Sequence, residues 1–127
     1  MSTRNKYGNQ QTVAFGEVFD SKREARRYAE LLILERAGRI SDIRRQVPFE
    51  LIPPQRAEST QVYKKGPRKG ELKPGYLLEQ GVTYVADFVY RANGETIVED
   101  VKGKRTKDYI IKRKLMLYIH GIRIKEV

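Results

Sequence analysis

Regular periodicity of apolar positions is confined to a few segments of the chain. DSKREARRYAELLILERAG (20–38) carries the strongest helical pattern, with Ala25, Tyr28, Ala29 and Leu32 recurring at three- and four-residue spacing. Asp20 or Ser21 can cap the start of this helix and Gly38 can end it. A short apolar stretch (Val13, Phe15, Val18, Phe19) precedes it, after eleven polar residues. RQVPFELIP reads as a short strand, ended by the Pro53–Pro54 pair. Two strands at about 82–91 and 95–102 follow, then a helix at about 107–119 that Thr106 can cap. IRIKEV forms a last strand. Between Arg56 and Gly81 the periodicity is lost, and KKGPRKGELKPG is basic and rich in turn residues. We read about 56–81 as a loop inserted over a binding face of a single domain spanning residues 1–127. The element order α-β-β-β-α-β predicts an α/β fold, a mixed β-sheet flanked by helices.

Aspartate is disfavoured in strands, yet each of the two strands at 82–102 carries one. Asn93-Gly94 between them is the signal for a two-residue type I′ turn, which sets the register. Ala92 then faces Glu95, Tyr90 faces Ile97, Val89 faces Val98, and Asp87 faces Asp100. A four-residue loop keeps this pairing, and a three-residue loop shifts it by one. Directly opposed residues place their Cβ atoms roughly 4.5–5.5 Å apart. Alternation sets Lys102 on the face of Asp100 and Glu99 on the other. Two facing carboxylates repel unless a cation lies between them. An all-oxygen pair suits Mg²⁺ or Mn²⁺, with the backbone carbonyl of Val101 as a further ligand. Lys102 could then hold a phosphate oxygen or orient water. The alternative is a structural Asp100–Lys102 ion pair with Asp87 hydrogen-bonded nearby.

The charge points to a partner. With 26 Lys and Arg against 16 Asp and Glu, the 127 residues carry a net +10, which suits a polyanion such as DNA. No cysteine and a single histidine exclude disulfides and thiolate zinc sites, and argue against a His-based zinc site or a Ser-His-Asp triad. His120 sits at a helix end, where a dipole contact explains it better than catalysis. No apolar run approaches the ~18 residues of a membrane span, and the N-terminus lacks a signal core, so a cytosolic protein is expected. Candidate phosphate contacts are Arg4 and Lys6 near the N-terminus, and Lys64, Lys65, Arg68 and Lys69 in the 56–81 segment. Lys104, Arg105 and Lys107 join them around the start of the second helix.

The spacing of Asp87, Asp100 and Lys102 resembles the signature of the PD-(D/E)xK nuclease superfamily. NKYGN, FDSKREARRY, QVPFEL, YVADF and VEDVKG resemble a family of small phage-encoded proteins of that superfamily, over nearly the whole chain except 56–81. Ala86 stands where the superfamily's name puts proline. The resemblance implies a restriction-endonuclease-like core and a Mg²⁺- or Mn²⁺-dependent DNA endonuclease using Asp87, Asp100 and Lys102. It also implies that Glu24 on the first helix joins the site, although Ser21-Lys22-Arg23-Glu24 is equally a capping box. Glu24 precedes Tyr28 and Leu31 by four and seven positions, at the margin of the apolar face. Gln46 matches a residue found near such sites. Archaeal-type Holliday junction resolvases and transposon-end endonucleases share the general layout, which implies branched DNA, a homodimer and a role in phage recombination or replication. Two rivals stand beside this reading: a nucleic-acid-binding protein without turnover on the same fold, and a nicking or transposon-end nuclease.

Overall fold

The computed structural model describes residues 11–127; Arg4 and Lys6 lie outside the described residues. The chain opens with a small hairpin, β1 (Thr12–Ala14) and β2 (Glu17–Phe19). Helix α1 (Lys22–Arg36) follows, with the Ser21 hydroxyl accepting the Glu24 amide at 3.1 Å. Strand β3 (Ser41–Ile52) is twelve residues long, and RQVPFELIP misses its first four residues. Next come β4 (Gln55–Arg56), β5 (Leu77–Glu79), β6 (Val82–Ala92), β7 (Glu95–Asp100), α2 (Lys107–His120) and β8 (Lys125–Glu126).

Strands β3, β6, β7 and β8 form one sheet in the order β3-β6-β7-β8. The first two pairings are antiparallel and β7-β8 is parallel, so the sheet is mixed, as expected. Asn93 and Gly94 both have positive φ (53° and 78°), as a type I′ turn requires. The register has Ala92 opposite Glu95, Tyr90 opposite Ile97 and Val89 opposite Val98. Parallel pairing requires a crossover, and α2 supplies it. Thr106 accepts the Tyr109 amide at 3.1 Å to start α2, and Gly121, left-handed at φ 67°, stops it.

Each face of the sheet carries its own core. Tyr84, Ala86, Val89, Val98 and Leu51 pack with Tyr109 and Met116 of α2. Phe88, Tyr90 and Ile40 pack with Phe19 and with Ala25 and Leu31 of α1. The stripe of α1 that packs on the sheet therefore runs Ala25, Tyr28, Leu31 and Leu34; Ala29 and Leu32, expected in it, lie outside that cluster. His120 at the end of α2 lies 2.7 Å from the Glu50 carbonyl and edge-on to Phe49, a packing role. Among the described residues no helix is long and apolar enough to cross a membrane.

The 56–81 segment is not structureless. Its base is the β4-β5 pair, and an antiparallel bridge joins Val62 to Leu72 further out. Two glycines close the base by contact rather than by special dihedrals. A Cβ on Gly75 would lie 1.8 Å from the Ala57 carbonyl oxygen, and one on Gly81 would lie 2.7 Å from that of Ile52.

Glu99 is wholly buried on the α1 side of the sheet. Arg27 donates to both its carboxylate oxygens, Nε and Nη2 each at 2.8 Å, and the Tyr90 hydroxyl donates to it as well. A second carboxylate, Glu30, holds Arg27 Nη1 at 2.7 Å. A buried ion pair is stable only when every charge keeps its partner. Arg27→Met should therefore cost about 3–5 kcal/mol, the scale for stranding a buried charge. Arg27→Met/Glu99→Met should recover most of that loss in urea melts. A single variant as stable as the wild type would show that the pair does not hold α1 to the sheet.

Candidate active site

The site begins with an interruption in the ladder. Strands β3 and β6 pair Arg45 with Phe88 and Val47 with Ala86, but the intervening pair of Gln46 and Asp87 is absent. Gln46 has φ 52°, a left-handed conformation uncommon for a non-glycine residue and rarer inside a strand. Its effect is a change of face. Ile43 packs in the α1 cluster and Arg45 lies over the Phe19 ring, whereas Val47, Phe49 and Leu51 pack in the α2 cluster. In β6 the same switch puts Tyr84 and Ala86 toward α2 and Phe88 and Tyr90 toward α1. Simple alternation would keep each of these sets on one side. The switch leaves Gln46 and Asp87 at the crossover, free of ladder duty.

Carboxylates from three elements meet there. The β6-β7 ladder ends at Phe88–Glu99, one pair short of Asp87 and Asp100. Instead, Asp87 Oδ2 accepts the backbone amide of Val101 at 2.8 Å. The Gln46 amide nitrogen donates to Glu24 Oε1 at 3.0 Å and, more weakly at 3.4 Å, to Asp87 Oδ1. Glu24 is buried, with Arg45 Nη2 3.7 Å from the same oxygen. Asp100, also buried, accepts the Tyr84 hydroxyl at 2.5 Å and pairs with Lys102 Nζ at 2.8 Å. Lys102 Nζ also lies 3.9 Å from the centre of the Tyr109 ring.

Burial sets the acidities. The Asp87 carboxyl is pushed up to about 8, first by desolvation, then by the charges of Asp100 and Glu24; the Val101 amide opposes this. Glu24 is raised too, chiefly by desolvation and then by Asp20. Asp87 therefore retains its proton near neutral pH.

These groups line one cleft of about 400 Å³ between the N-terminal ends of α1 and α2. The structure brings Glu24, Asp87, Asp100, Val101 and Lys102 to it, with Gln46 bonded to two of the acids. It adds Ser21, Tyr84, Tyr109 and Lys112. Tyr84 was invisible from sequence as a site residue, because it reads as an apolar strand position. Lys112 lay in a basic run whose orientation only the helix phase resolves. Arg105 is turned away to Glu126, at 3.0 Å, and Lys104 and Lys107 are exposed outside the cleft lining. Lys64, Lys65, Arg68 and Lys69 lie on the 56–81 arm, where Arg68 pairs with Glu71 at 2.8 Å and lies 4.9 Å from the Tyr63 ring centre.

Among the described residues no group of three or more His, Cys, Asp or Glu side chains is arranged to hold a metal ion. The donor chemistry nevertheless fits a hard divalent cation, since Mg²⁺ is commonly held by one or two carboxylates with waters and phosphate oxygens completing its shell. Asp87 and Asp100 are such a pair. The proton that Asp87 retains marks where a cation would relieve the repulsion.

A model of the family described as Protein of unknown function (DUF1064) matches residues 4–125, so the chain belongs to that family. No curated protein and no solved structure matches it.

The raised Asp87 acidity has a measurable sign. Its folded-state value of about 8 lies above its ordinary 3.8, so the native protein binds the extra proton between these limits. Stability then falls as pH rises through that window. In EDTA, Asp87→Asn should gain Tm relative to wild type as pH rises from about 5 to about 8. Parallel Tm profiles for the two proteins would mean that Asp87 titrates normally and the acids do not repel.

Proposed function

We propose that this DUF1064 chain is a metal-dependent DNA endonuclease of the PD-(D/E)xK type, which hydrolyses phosphodiester bonds. The observation that carries the reading is the convergence of Asp87, Asp100, Glu24 and Lys102 in one cleft of a strongly basic protein. A protein that only binds phosphate gains nothing from burying Glu24 and Asp100, and half-burying Asp87, where the substrate's negative charge must come. Asp87 and Asp100 would hold Mg²⁺ or Mn²⁺, with Glu24 and the Val101 carbonyl as the other candidate ligands. When bound, the ion supplies Lewis-acid stabilisation of the charge that develops on the phosphate.

The remaining chemistry belongs to side chains. Tyr84 fixes Asp100 by donating to Oδ2, which leaves Oδ1 for Lys102 or a cation. Lys102, released from Asp100, directs its ammonium at a phosphate oxygen in the cleft. Gln46 holds the Glu24 carboxylate toward the acids. A carboxylate whose pKa is raised by burial is better suited to take a proton from attacking water at neutral pH. The resemblance to junction resolvases supports branched DNA as substrate, a homodimer and a place in phage recombination or replication. The exposed cations of the 56–81 arm, an insertion into a single nuclease domain, suit contact with DNA flanking the cut. Lys104 and Lys107 suit backbone contacts at the cleft's outer edge.

One observation favours a second reading. The 2.8 Å Lys102–Asp100 contact is a complete ion pair as it stands, as in a non-catalytic nucleic-acid-binding protein. Cleavage assays on linear, flap and four-way DNA, in Mg²⁺ and in EDTA, separate the two and rank resolvase against nicking or transposon-end activity. Lys102→Met retains most of the stem and removes the charge. Single-turnover cleavage should fall by on the order of a hundredfold or more, the scale for losing a preorganised charge stabiliser. Binding in Ca²⁺ should fall only modestly, one phosphate contact among many. Equal losses in cleavage and binding would make Lys102 a docking residue and defeat the assignment.

A further inference from the structure

Helix α1 gathers cations near its start. Lys22 and Arg23 stand in the first turn beside Glu24, where free amides disfavour cations, and Arg26 and Arg27 follow in the second. Arg27 is compensated by Glu99 and Glu30. Arg23 and Arg26 are exposed and make no hydrogen bond or ion pair with another described residue. Two exposed guanidinium groups with no counter-charge among the described residues suit an anionic partner.

The surface beside them has the shape for one. A groove of about 290 Å³ is lined by Arg23, Arg26, Arg27, Glu30, Val101 and Val127. Val101 lines this groove and also the acidic cleft, so the two depressions meet across a single residue. Gly103 has no side chain, and a Cβ placed there would come no nearer than 3.8 Å, to Arg23 Nη1 of the groove. The Val101 amide is fixed by Asp87, so the shared wall is held by the candidate active site itself.

We propose that this groove is a second phosphate subsite, in which Arg23 and Arg26 grip the backbone of the nucleic-acid strand a short distance from the phosphate held in the cleft. The proposal rests on the nuclease reading for its ligand, a polynucleotide. Successive phosphates of one strand advance about 3.4 Å along a duplex axis, so a strand crossing Val101 reaches the groove within a few nucleotides. Guanidinium forks suit the task, because they bind phosphate oxygens two at a time. The subsite carries register and grip, and the chemistry remains in the cleft.

The test is a DNA titration in Ca²⁺ from low to moderate salt, with melting curves on the same proteins. Arg23→Gln/Arg26→Gln should bind DNA about tenfold more weakly and lower the salt slope by about 2, at roughly 0.9 per phosphate contact. Its Tm should equal or exceed that of wild type, because neither guanidinium pairs with a described residue and Arg23 stands in the first turn of the helix. Arg23→Lys/Arg26→Lys should restore most of the affinity. Arg39→Gln, at the other end of α1 beside the Asn93-Gly94 turn, should bind like wild type. Unchanged affinity and slope in the double glutamine variant would overturn the subsite. So would a lowered Tm with the lysine variant failing to restore binding, which would make the arginines structural. Inorganic phosphate alone raising the wild-type Tm, with DNA affinity unaffected by the substitutions, would identify a small-anion site and also overturn the strand proposal. Wild-type protein that binds DNA without cutting it would defeat the nuclease reading alone. Wild-type protein that binds no DNA would defeat both.

Discussion

The bidentate contact between Arg27 and the buried Glu99 governs where everything else in the site can stand. A carboxylate with no exposure, placed in the middle of a sheet, is unfavourable unless its charge is met by donors fixed in direction. Arg27 meets it with two parallel N–H groups, and Tyr90 adds a third donor from the neighbouring strand. The planar fork allows little rotation about either partner. That fixes α1 over β7 at one register. Glu24 lies three residues before Arg27, and Asp100 directly follows Glu99, so the same ion pair indexes the acids of the helix and the strand to each other. A slip of one residue in either element would separate the salt bridge and the acidic cluster together.

A second constraint operates at Gln46. A sheet packed between two helices normally assigns alternate residues to opposite cores along its full length. Here β3 and β6 reverse that assignment midway, while β7 keeps it, with Ile97 toward α1 and Val98 toward α2. The reversal requires a left-handed residue, and strain of this kind in structures often accompanies function. Its product is a pair of side chains released from both cores. Gln46 uses the freedom to bridge Glu24 and Asp87, and Asp87 uses it to take the amide of Val101. The interruption that weakens the ladder is also what turns the acids toward one cleft.

How much of this could be read from the chain depends on the range of each interaction. Asn93-Gly94 fixes its register within two residues, so the pairs from Ala92–Glu95 to Val89–Val98 followed from counting, whereas the ladder ends before the expected pair of Asp87 and Asp100. Ser21, Thr106 and Gly121 act over a single turn, and the helix ends fell where those residues imply. The Arg27–Glu99 pair spans 72 positions, and nothing local marks either residue; Glu99 was placed only on the face away from Asp100. The α1 stripe was read one residue out at Ala29 and Leu32, because Ala25 and Tyr28 alone fit two helical phases about equally well. Gln46 carries no sign of positive φ, since Asn, Asp and Gly are the residues that usually advertise it. The basic segments are a different case. Charge density identifies a cationic run, but only the fold shows that Arg105 is bound to Glu126 while Lys112 lines the cleft.

The two crowded glycines at the foot of the 56–81 arm divide that segment into parts with different evolutionary freedom. At Gly75 and Gly81 one stretch of backbone passes so close to another that any side chain would force them apart. These positions act as a fixed socket on the sheet. Beyond them, the bridge between Val62 and Leu72 and the contacts around Tyr63 are made within the arm itself. Lengthening a flexible loop is inexpensive, about 0.6 kcal/mol for each doubling. The outer arm can therefore grow, shrink or be exchanged without disturbing β3 or β6, as a detachable attachment on a constant mount. Variation in reach and charge is thereby open to this protein at a place where its acids do not feel the change.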